Sequence, residues 1–545
     1  MKSQKMLIIQ LLRLGDLIQT LKAARQLKAE NPSLSISILS RARFAKPLAF
    51  LLETVFDEVI YLETKDFIRE SVEQTREELH NFINSIKEKD YSVTVNLSFN
   101  KSSGYLNHLI GTQWNTGVSR DNKNKITIQD KWSRFVYSTV MRGNQNPFNL
   151  VDLFRYILGC KHNYLLENLN SERKSSKIVI HPFASDKKKH WGASRWAEVI
   201  YKLSKQYPEA HFHIVGGNAD RELGNQILNS PSLTNSKDNI SLEINKDIAH
   251  VYEILTKSML FIGHDSMVSH LASETLTPSV ILSLGPVRYQ ETTPYQNNVV
   301  NLVPKTKCFP CTVQTDCSLF SCHAHIPHQV VSAVASQLIQ SQKIDSKELQ
   351  KVVTPFHLST VNIYQSEIFD ENIEYHNLLN EHQDATQVFQ HYYKILWHLY
   401  FNDVDIEITY PTITNEVAKE LAHHLEGTQY LFEVYNFGTK YANQAIQNLR
   451  AGNDNHSALT DNINKLNDVS ELTKVTASNY PLLQSIIDLI HVNTNSGDNT
   501  ELKTILEEQL VGYHDGVHLL TALHSLIKKT ITPHHMTHSS EVKEI

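Results

Sequence analysis

No stretch of this 545-residue chain approaches the roughly 20 consecutive apolar residues that a membrane-spanning helix needs, so no transmembrane segment is expected. A cleaved leader is not expected either. Met6 to Leu12 is apolar enough for a signal-peptide core, but Arg13 and Asp16 interrupt it at once and no small-residue cleavage site follows. The segment reads as a first buried strand, and the protein as cytoplasmic. Surplus basic charge is also lacking: 52 Lys+Arg stand against 58 Asp+Glu, a net charge of −6. That argues against a general nucleic-acid binder, which carries a basic face. No basic amphipathic helix stands out as a membrane anchor. Cysteine is scarce and unevenly placed, with Cys160 alone and Cys308, Cys311, Cys317 and Cys322 close together. Scattered pairs would suggest a secreted disulfide scaffold, whereas a tight cluster in a cytosolic chain points to a metal or to local structure.

The length allows roughly three domains at about 150 residues each. Residues 1–165 alternate strand and helix patterns, beginning with Met6–Leu12 and the apolar-periodic helix Asp16–Ala29. After a polar bridge, Asn168 to Lys177, the alternation restarts over 175–340 with strand Lys177–His181 and helix Arg195–Gln206. Two such halves predict an α/β fold with two Rossmann-like domains facing a cleft. From about residue 345 glycine becomes sparse and apolar residues fall at helical spacing, so 345–545 reads as a mostly α-helical extension. Its aromatic residues Phe389, Tyr392, Tyr393, Trp397 and Tyr400 read as core rather than as a cofactor box. No clear internal repeat is present.

Residues 260–286 carry the most chemistry. A short apolar run ends in Gly-His-Asp-Ser, a helix follows over Met267–Glu274, and a second β-rich run stops at Gly285-Pro286. Strand, polar turn, helix and strand form half of a doubly wound sheet, which binds ligands beyond its strand ends. Asp265 and Ser266 fall at that point, where free amides of a helix N-terminus attract a phosphate or a sugar hydroxyl. His270 lies one turn further on and can face the same crevice. Helix capping by Asp265 or Ser266, and a buried structural role for His270, are the alternatives.

Five markers in order resemble glycosyltransferase family nine, the bacterial heptosyltransferases. These are Arg13-Leu14-Gly15-Asp16-Leu17 after the first strand, and His181-Pro182-Phe183-Ala184-Ser185 followed by Lys189-His190-Trp191 and Arg195-Trp196. Then come Gly216-Gly217, Asp265-Ser266 with His270-Leu271-Ala272, and the cysteine group. The resemblance spans about residues 1–340. It implies the GT-B arrangement and an inverting transfer from a nucleotide diphosphate sugar, commonly ADP-heptose, without a required catalytic metal. It places Asp16 as general base, taking the acceptor hydroxyl's proton as the oxygen attacks. A helix N-terminus would hold such a carboxylate ionised but only weakly basic, and simple N-capping is the alternative. Lys189 would neutralise the donor diphosphate, preferred over Lys187 and Lys188 by its place before His190-Trp191. Ser185 and Ser266 could hydrogen-bond the same diphosphate, and Asp265 with His270 would complete the donor pocket. The sequence departs from the family at Met267 and Phe183, where glycine is usual. Both changes would narrow the pocket, and a non-catalytic nucleotide-sugar-binding scaffold or sensor is the alternative they raise.

The spacing Cys308-x2-Cys311-x5-Cys317-x4-Cys322 offers four thiolates for a structural zinc or iron site, with His323, His325 and His328 as further candidate ligands. Only the first pair has the usual spacing, and four thiolates leave no open catalytic position. The expected partners are a nucleotide-sugar donor and a glycan, glycolipid or protein acceptor, with no nucleic acid. The extension would bind a protein acceptor, drive homo-oligomerisation, or dock the chain at the inner membrane as a peripheral protein.

Overall fold

The computed structural model describes residues 4–63, 65, 71–161, 176–312, 314–369, 372–380, 382–402, 408–451, 456–495 and 501–541. The polar bridge expected from Asn168 lies outside these residues as far as position 175. The chain divides into two compact units, Met1–Asn81 with Phe148–Asn380, and Phe82–Pro147 with Glu381–Ile545.

Along the chain the first elements are β1 (Lys5–Ile9), α1 (Leu14–Glu30), β2 (Ser35–Arg41) and β3 (Glu58–Leu62). β1 pairs in parallel with β2, and β2 with β3. Four of the five β1 residues are buried, which is what a parallel strand covered on both faces requires. β4 (Val93–Asn96), β5 (Trp114–Arg120) and β6 (Ile126–Ile128) belong to the other unit, where β4 and β5 are parallel and β5 and β6 antiparallel. The first unit resumes with α2 (Leu150–Leu158), which packs on α1.

The larger sheet is built from β7 (Lys177–His181), β8 (His211–Gly216), β9 (Ile240–Ile244), β10 (Ser258–His264), β11 (Ser279–Leu282) and β12 (Val299–Pro304). β13 (Val361–Phe369) and β14 (Asn372–Asn377) complete it, in the order β14-β13-β12-β11-β10-β7-β8-β9. The six strands from β7 to β12 are parallel, and β13 and β14 add an antiparallel edge. The helix α3 (Ala193–Gln206) buries Trp196, Ala197, Val199, Ile200 and Leu203 in this unit's core, which also holds Ile178, Ile180, Leu260 and Ile262 from the central strands. The helix α4 (Met267–Glu274) follows β10, and α5 (His328–Ser341) also packs on α3. The chain winds outwards from β7 through β8 to β9, then returns to β10 and winds the other way. The switch point therefore lies between β7 and β10, and the crevice beyond their ends is where such sheets hold ligands.

The second unit is dominated by helices α6 (Ala385–Asn402), α7 (Asn415–Ala451), α8 (His456–Asn479), α9 (Gln484–Asn495) and α10 (Leu502–Glu541). Phe389, Tyr392, Tyr393 and Trp397 of α6 are fully buried, with Tyr393 stacked on Trp397 at 5.4 Å, so these aromatic residues are core. The α/β class with two sheets and a largely helical C-terminal region is the one expected. One difference concerns the start of that region: β13 and β14 lie inside the stretch read as helical from residue 345 and join the sheet instead. Among the described residues, no helix is long and apolar enough to cross a membrane.

Candidate active site at the switch point

Two loops leave the sheet at the switch point. After β7 the chain passes Ser185 and forms a short turn over Lys187–Lys189; after β10 it passes Asp265 and enters α4 at its N-cap, Ser266. The loops are joined by an ion pair. Lys189 Nζ lies 3.0 Å from Asp265 Oδ2 and also donates to the Asp265 carbonyl at 3.2 Å. The three consecutive lysines thus have different surroundings. Lys187 is exposed, while Lys188 is buried and donates to the carbonyls of Thr312 (3.2 Å) and Thr315 (3.1 Å). Lys189 alone of the three is paired with a carboxylate of the crevice. Ser266 Oγ lies 3.1 Å from Nδ1 of the buried His181, and the Ser266 amide donates to Ser269 Oγ at 3.2 Å.

The N-terminus of α1 faces the same place. Asp16 sits at the third helical position and accepts from the Arg13 amide at 3.0 Å, so it does cap the helix. Gly15 abuts His270 of α4: a β-carbon at Gly15 would lie 3.0 Å from His270 Cδ2 and 3.5 Å from Nε2. Further along, Lys22 Nζ meets Glu274 Oε1 at 2.9 Å and Arg25 meets Glu274 Oε2 at 2.7 Å. The Lys22–Glu274 pair is almost wholly buried, which ties α1 to α4 along their length.

The charges follow from this packing. Burial raises the Asp16 carboxyl above its ordinary 3.8; the Arg13 amide and guanidinium pull against that rise, and the Asp265 carboxylate adds to it. The expectation that the helix N-terminus would make Asp16 an unusually weak base is therefore reversed, because desolvation outweighs the capping interactions. Burial also works to raise Asp265, but the Lys189 ammonium, with His270 and Thr292, more than offsets it and holds the carboxyl below its ordinary value. His270 is pushed down to about 4, chiefly by burial, and is neutral at pH 7. Burial likewise takes His181 down to about 4. The crevice thus holds a raised carboxyl, a fixed ammonium–carboxylate pair and two neutral imidazoles.

Of the residues singled out from sequence, Asp16, Lys189, Asp265, Ser266 and His270 come together. Ser185 is in the loop before the lysine turn with its side chain exposed. Phe183 does not narrow the crevice. Its ring is buried in the core of the sheet, where a β-carbon at Gly216 would approach it to 2.5 Å, so the bulk that replaces glycine is absorbed by a glycine elsewhere. Met267 is half-buried at the first position of α4. The four clustered cysteines lie near one another, since Cys308, Cys311 and Cys317 each act on the Cys322 thiol. Cys308 is exposed and Cys322 buried, the Phe320 amide donates to Cys317 Sγ at 3.4 Å, and among the described residues no group of three or more His, Cys, Asp or Glu is placed to hold a metal ion. Sequence reasoning missed Lys22, Arg25 and Glu274; a lone Glu ending a helix otherwise made of Met, Val, Ser, His, Leu and Ala was the available signal.

The switch point carries a cation, carboxylates and a helix N-terminus, and the family match makes the chain an enzyme, a glycosyltransferase. Residues 79–319 match the model of Glycosyltransferase family 9 (heptosyltransferase), so the resemblance read from the motifs holds over that segment. The segment includes Lys189, Asp265, Ser266 and His270; it begins after Asp16. No curated protein matches the chain. Similar solved structures include the E. coli ADP-heptose LPS heptosyltransferase II, 17% identical, with 63% of this chain and 100% of that one covered and a TM-score of 0.46. A family 9 glycosyl transferase from Veillonella parvula is 16% identical, with 62% and 99% covered and a TM-score of 0.47. The iron-containing dodecameric glycosyltransferase TibC from enterotoxigenic E. coli is 15% identical, with 63% and 77% covered and a TM-score of 0.36.

Proposed function

We propose that this chain is an inverting glycosyltransferase that moves a sugar, heptose from ADP-heptose, onto a hydroxyl of a lipopolysaccharide, other glycan or protein acceptor. The observation that carries this reading is the Lys189–Asp265 pair at the start of α4, with Asp16 near enough to sense the Asp265 charge. In the reaction, Asp16 takes the proton of the acceptor hydroxyl as its oxygen bonds to the anomeric carbon. The bond from that carbon to the diphosphate oxygen breaks, and the electron pair leaves with the nucleotide. Lys189 and the free amides at the start of α4 balance the charge that develops on the phosphate. A raised Asp16 pKa suits this role, because a carboxylate with a higher pKa is a stronger base.

In this reading residues 1–165 hold the acceptor side and 175–340 the nucleotide sugar. The helical residues from 381 onwards supply contacts to a protein acceptor or a second copy, in a cytoplasmic protein that works at the inner membrane surface. The test is calorimetric titration of the full chain with ADP-heptose, ADP-glucose, UDP-GlcNAc and ADP, followed by turnover assays on Asp16→Ala. Binding of ADP-heptose that is lost in Asp265→Ala supports the donor. A preference for the uridine sugar overturns the donor, and unchanged turnover in Asp16→Ala removes Asp16 as base.

A further inference from the structure

Trp191 is fully buried, and its indole donates to the carbonyls of His323 (3.2 Å) and Ile326 (3.1 Å). This pins the segment before α5 against the start of α3. Beside that contact opens a pocket of about 340 Å³, lined among others by Arg195, His325, His328, Gln329, Phe356 and His357. None of Asp16, Lys189, Asp265 or His270 lines it, and neither does any carboxylate.

The pocket's polar groups are short of acceptors. Arg195 spends one N–H on the Trp191 carbonyl at 3.3 Å and, among the described residues, forms no ion pair. Burial without a counter-charge pulls its pKa down. A guanidinium carries five donors, so most of its capacity is unspent. The Nδ1 atoms of His328 and His357 are buried and, among the described residues, have no hydrogen-bond partner. His325 places Nδ1 2.8 Å from the Ser321 carbonyl, which leaves Nε2 as its remaining ring nitrogen. His328 also opens the 14-residue α5, whose first amides have no acceptor within the helix. A half-buried cation, two unpartnered imidazole nitrogens and a helix start therefore border one cavity. The guanidinium and the helix start supply donors, and each neutral imidazole can donate through Nδ1, so the lining suits an anion. A metal ion is disfavoured by the guanidinium.

We propose that this pocket binds a small phosphate-bearing anion, a phosphomonoester, held by Arg195, His328, His357 and the first amides of α5. Its volume lies at the low end for small-molecule sites and exceeds what a bare phosphate fills, leaving room for an attached group against Phe356, which is 73% exposed at the rim.

The test is calorimetric titration of the full chain with inorganic phosphate and, separately, with glucose 6-phosphate. Saturable binding is expected, tighter for the sugar phosphate. Arg195→Gln is expected to weaken it at least about tenfold and His357→Gln severalfold. Heat that disappears in Lys189→Ala and persists in both pocket variants would assign the binding to the crevice and overturn the pocket. Equal affinity for the two probes would reduce the ligand to free phosphate. The site is overturned equally by no saturable heat for either probe, or by wild-type affinity in both pocket variants. If Arg195→Gln does not fold, His357→Gln decides alone.

Discussion

The imidazole of His270 lies against the α-carbon of Gly15, so that even a methyl group there would come within 3.0 Å of the ring. The contact joins the helix that carries Asp16 to the helix whose start holds Asp265. Gly15→Ala must therefore displace the ring or part the two helices. A displacement of about 1 Å near reacting groups can cost on the order of a hundredfold in rate. The expected outcome is a fall in kcat of at least about tenfold with the far-ultraviolet circular dichroism unchanged. Wild-type kcat would mean that the contact yields freely and positions nothing.

Asp16 gives a prediction in pH. Its folded-state pKa lies above 3.8, so the native protein holds that proton more tightly than the unfolded chain does. Below 3.8 the carboxyl is protonated in both states and costs nothing. As pH rises from 3.8 through the folded pKa, ionisation destabilises the native state, and the cost persists at neutral pH. Asp16→Asn, which keeps an acceptor for the Arg13 amide, should raise the Tm at pH 7 and leave it unchanged at pH 3, while turnover falls by about a hundredfold or more. A Tm lowered at pH 7 would show that the carboxylate is held for stability. In the wild type, the acid limb of kcat/KM should lie above the ordinary carboxylate range.

How far this site was legible depends on whether its parts are local. Asp265, Ser266 and His270 sit in a single strand–turn–helix, so period and punctuation located them, whereas Lys189 was picked out of three lysines by the family resemblance of the motif around it. Asp16 was placed by its position after β1, but the sign of its pKa shift was not legible: the local helix amides argue one way, and burial, which only the folded chain supplies, argues the other. The Lys22–Glu274 pair joins residues about 250 positions apart, and no spacing rule reaches that far. In β13 the buried residues Val361, Ile363, Tyr364, Ser366 and Ile368 carry a broken two-residue period, which is why the strand was lost in a stretch otherwise read as helical.

The three lysines give a separation of function. Lys188 satisfies two carbonyls from a buried position, so Lys188→Ala should cost stability, about 2 kcal/mol, the penalty for leaving such acceptors unpaired. Lys189→Ala leaves the Asp265 carboxylate without its cation and should also lower the Tm, but unlike Lys188→Ala it should weaken donor binding and turnover together. Thermal melts and donor titrations on the two variants check this. The assignment fails if Lys189→Ala binds donor normally, or if Lys188→Ala is the variant that loses it.

Glu274 is a carboxylate with about 2% of its side chain exposed, facing Lys22, which is as deeply buried, and Arg25. Burial works to raise its pKa, but the two cations more than offset this and lower it below 4.5. Its stabilising contribution is therefore complete above 4.5 and is lost as pH falls through the lower, folded value. Glu274→Gln leaves the Lys22 ammonium inside the protein without its carboxylate, with the Ser273 carbonyl at 3.2 Å still accepting from it, a cost of about 3 kcal/mol, and urea titration at pH 7 should show it. The double variant Lys22→Met with Glu274→Leu should recover most of that loss, because the desolvated pair contributes little beyond well-packed apolar groups. What the double variant should not recover is rate: without the pair, α1 and α4 lose the charged contact that fixes their register, and with it the placement of Gly15 against His270. Full activity in the double variant would show that packing alone holds the two helices in place.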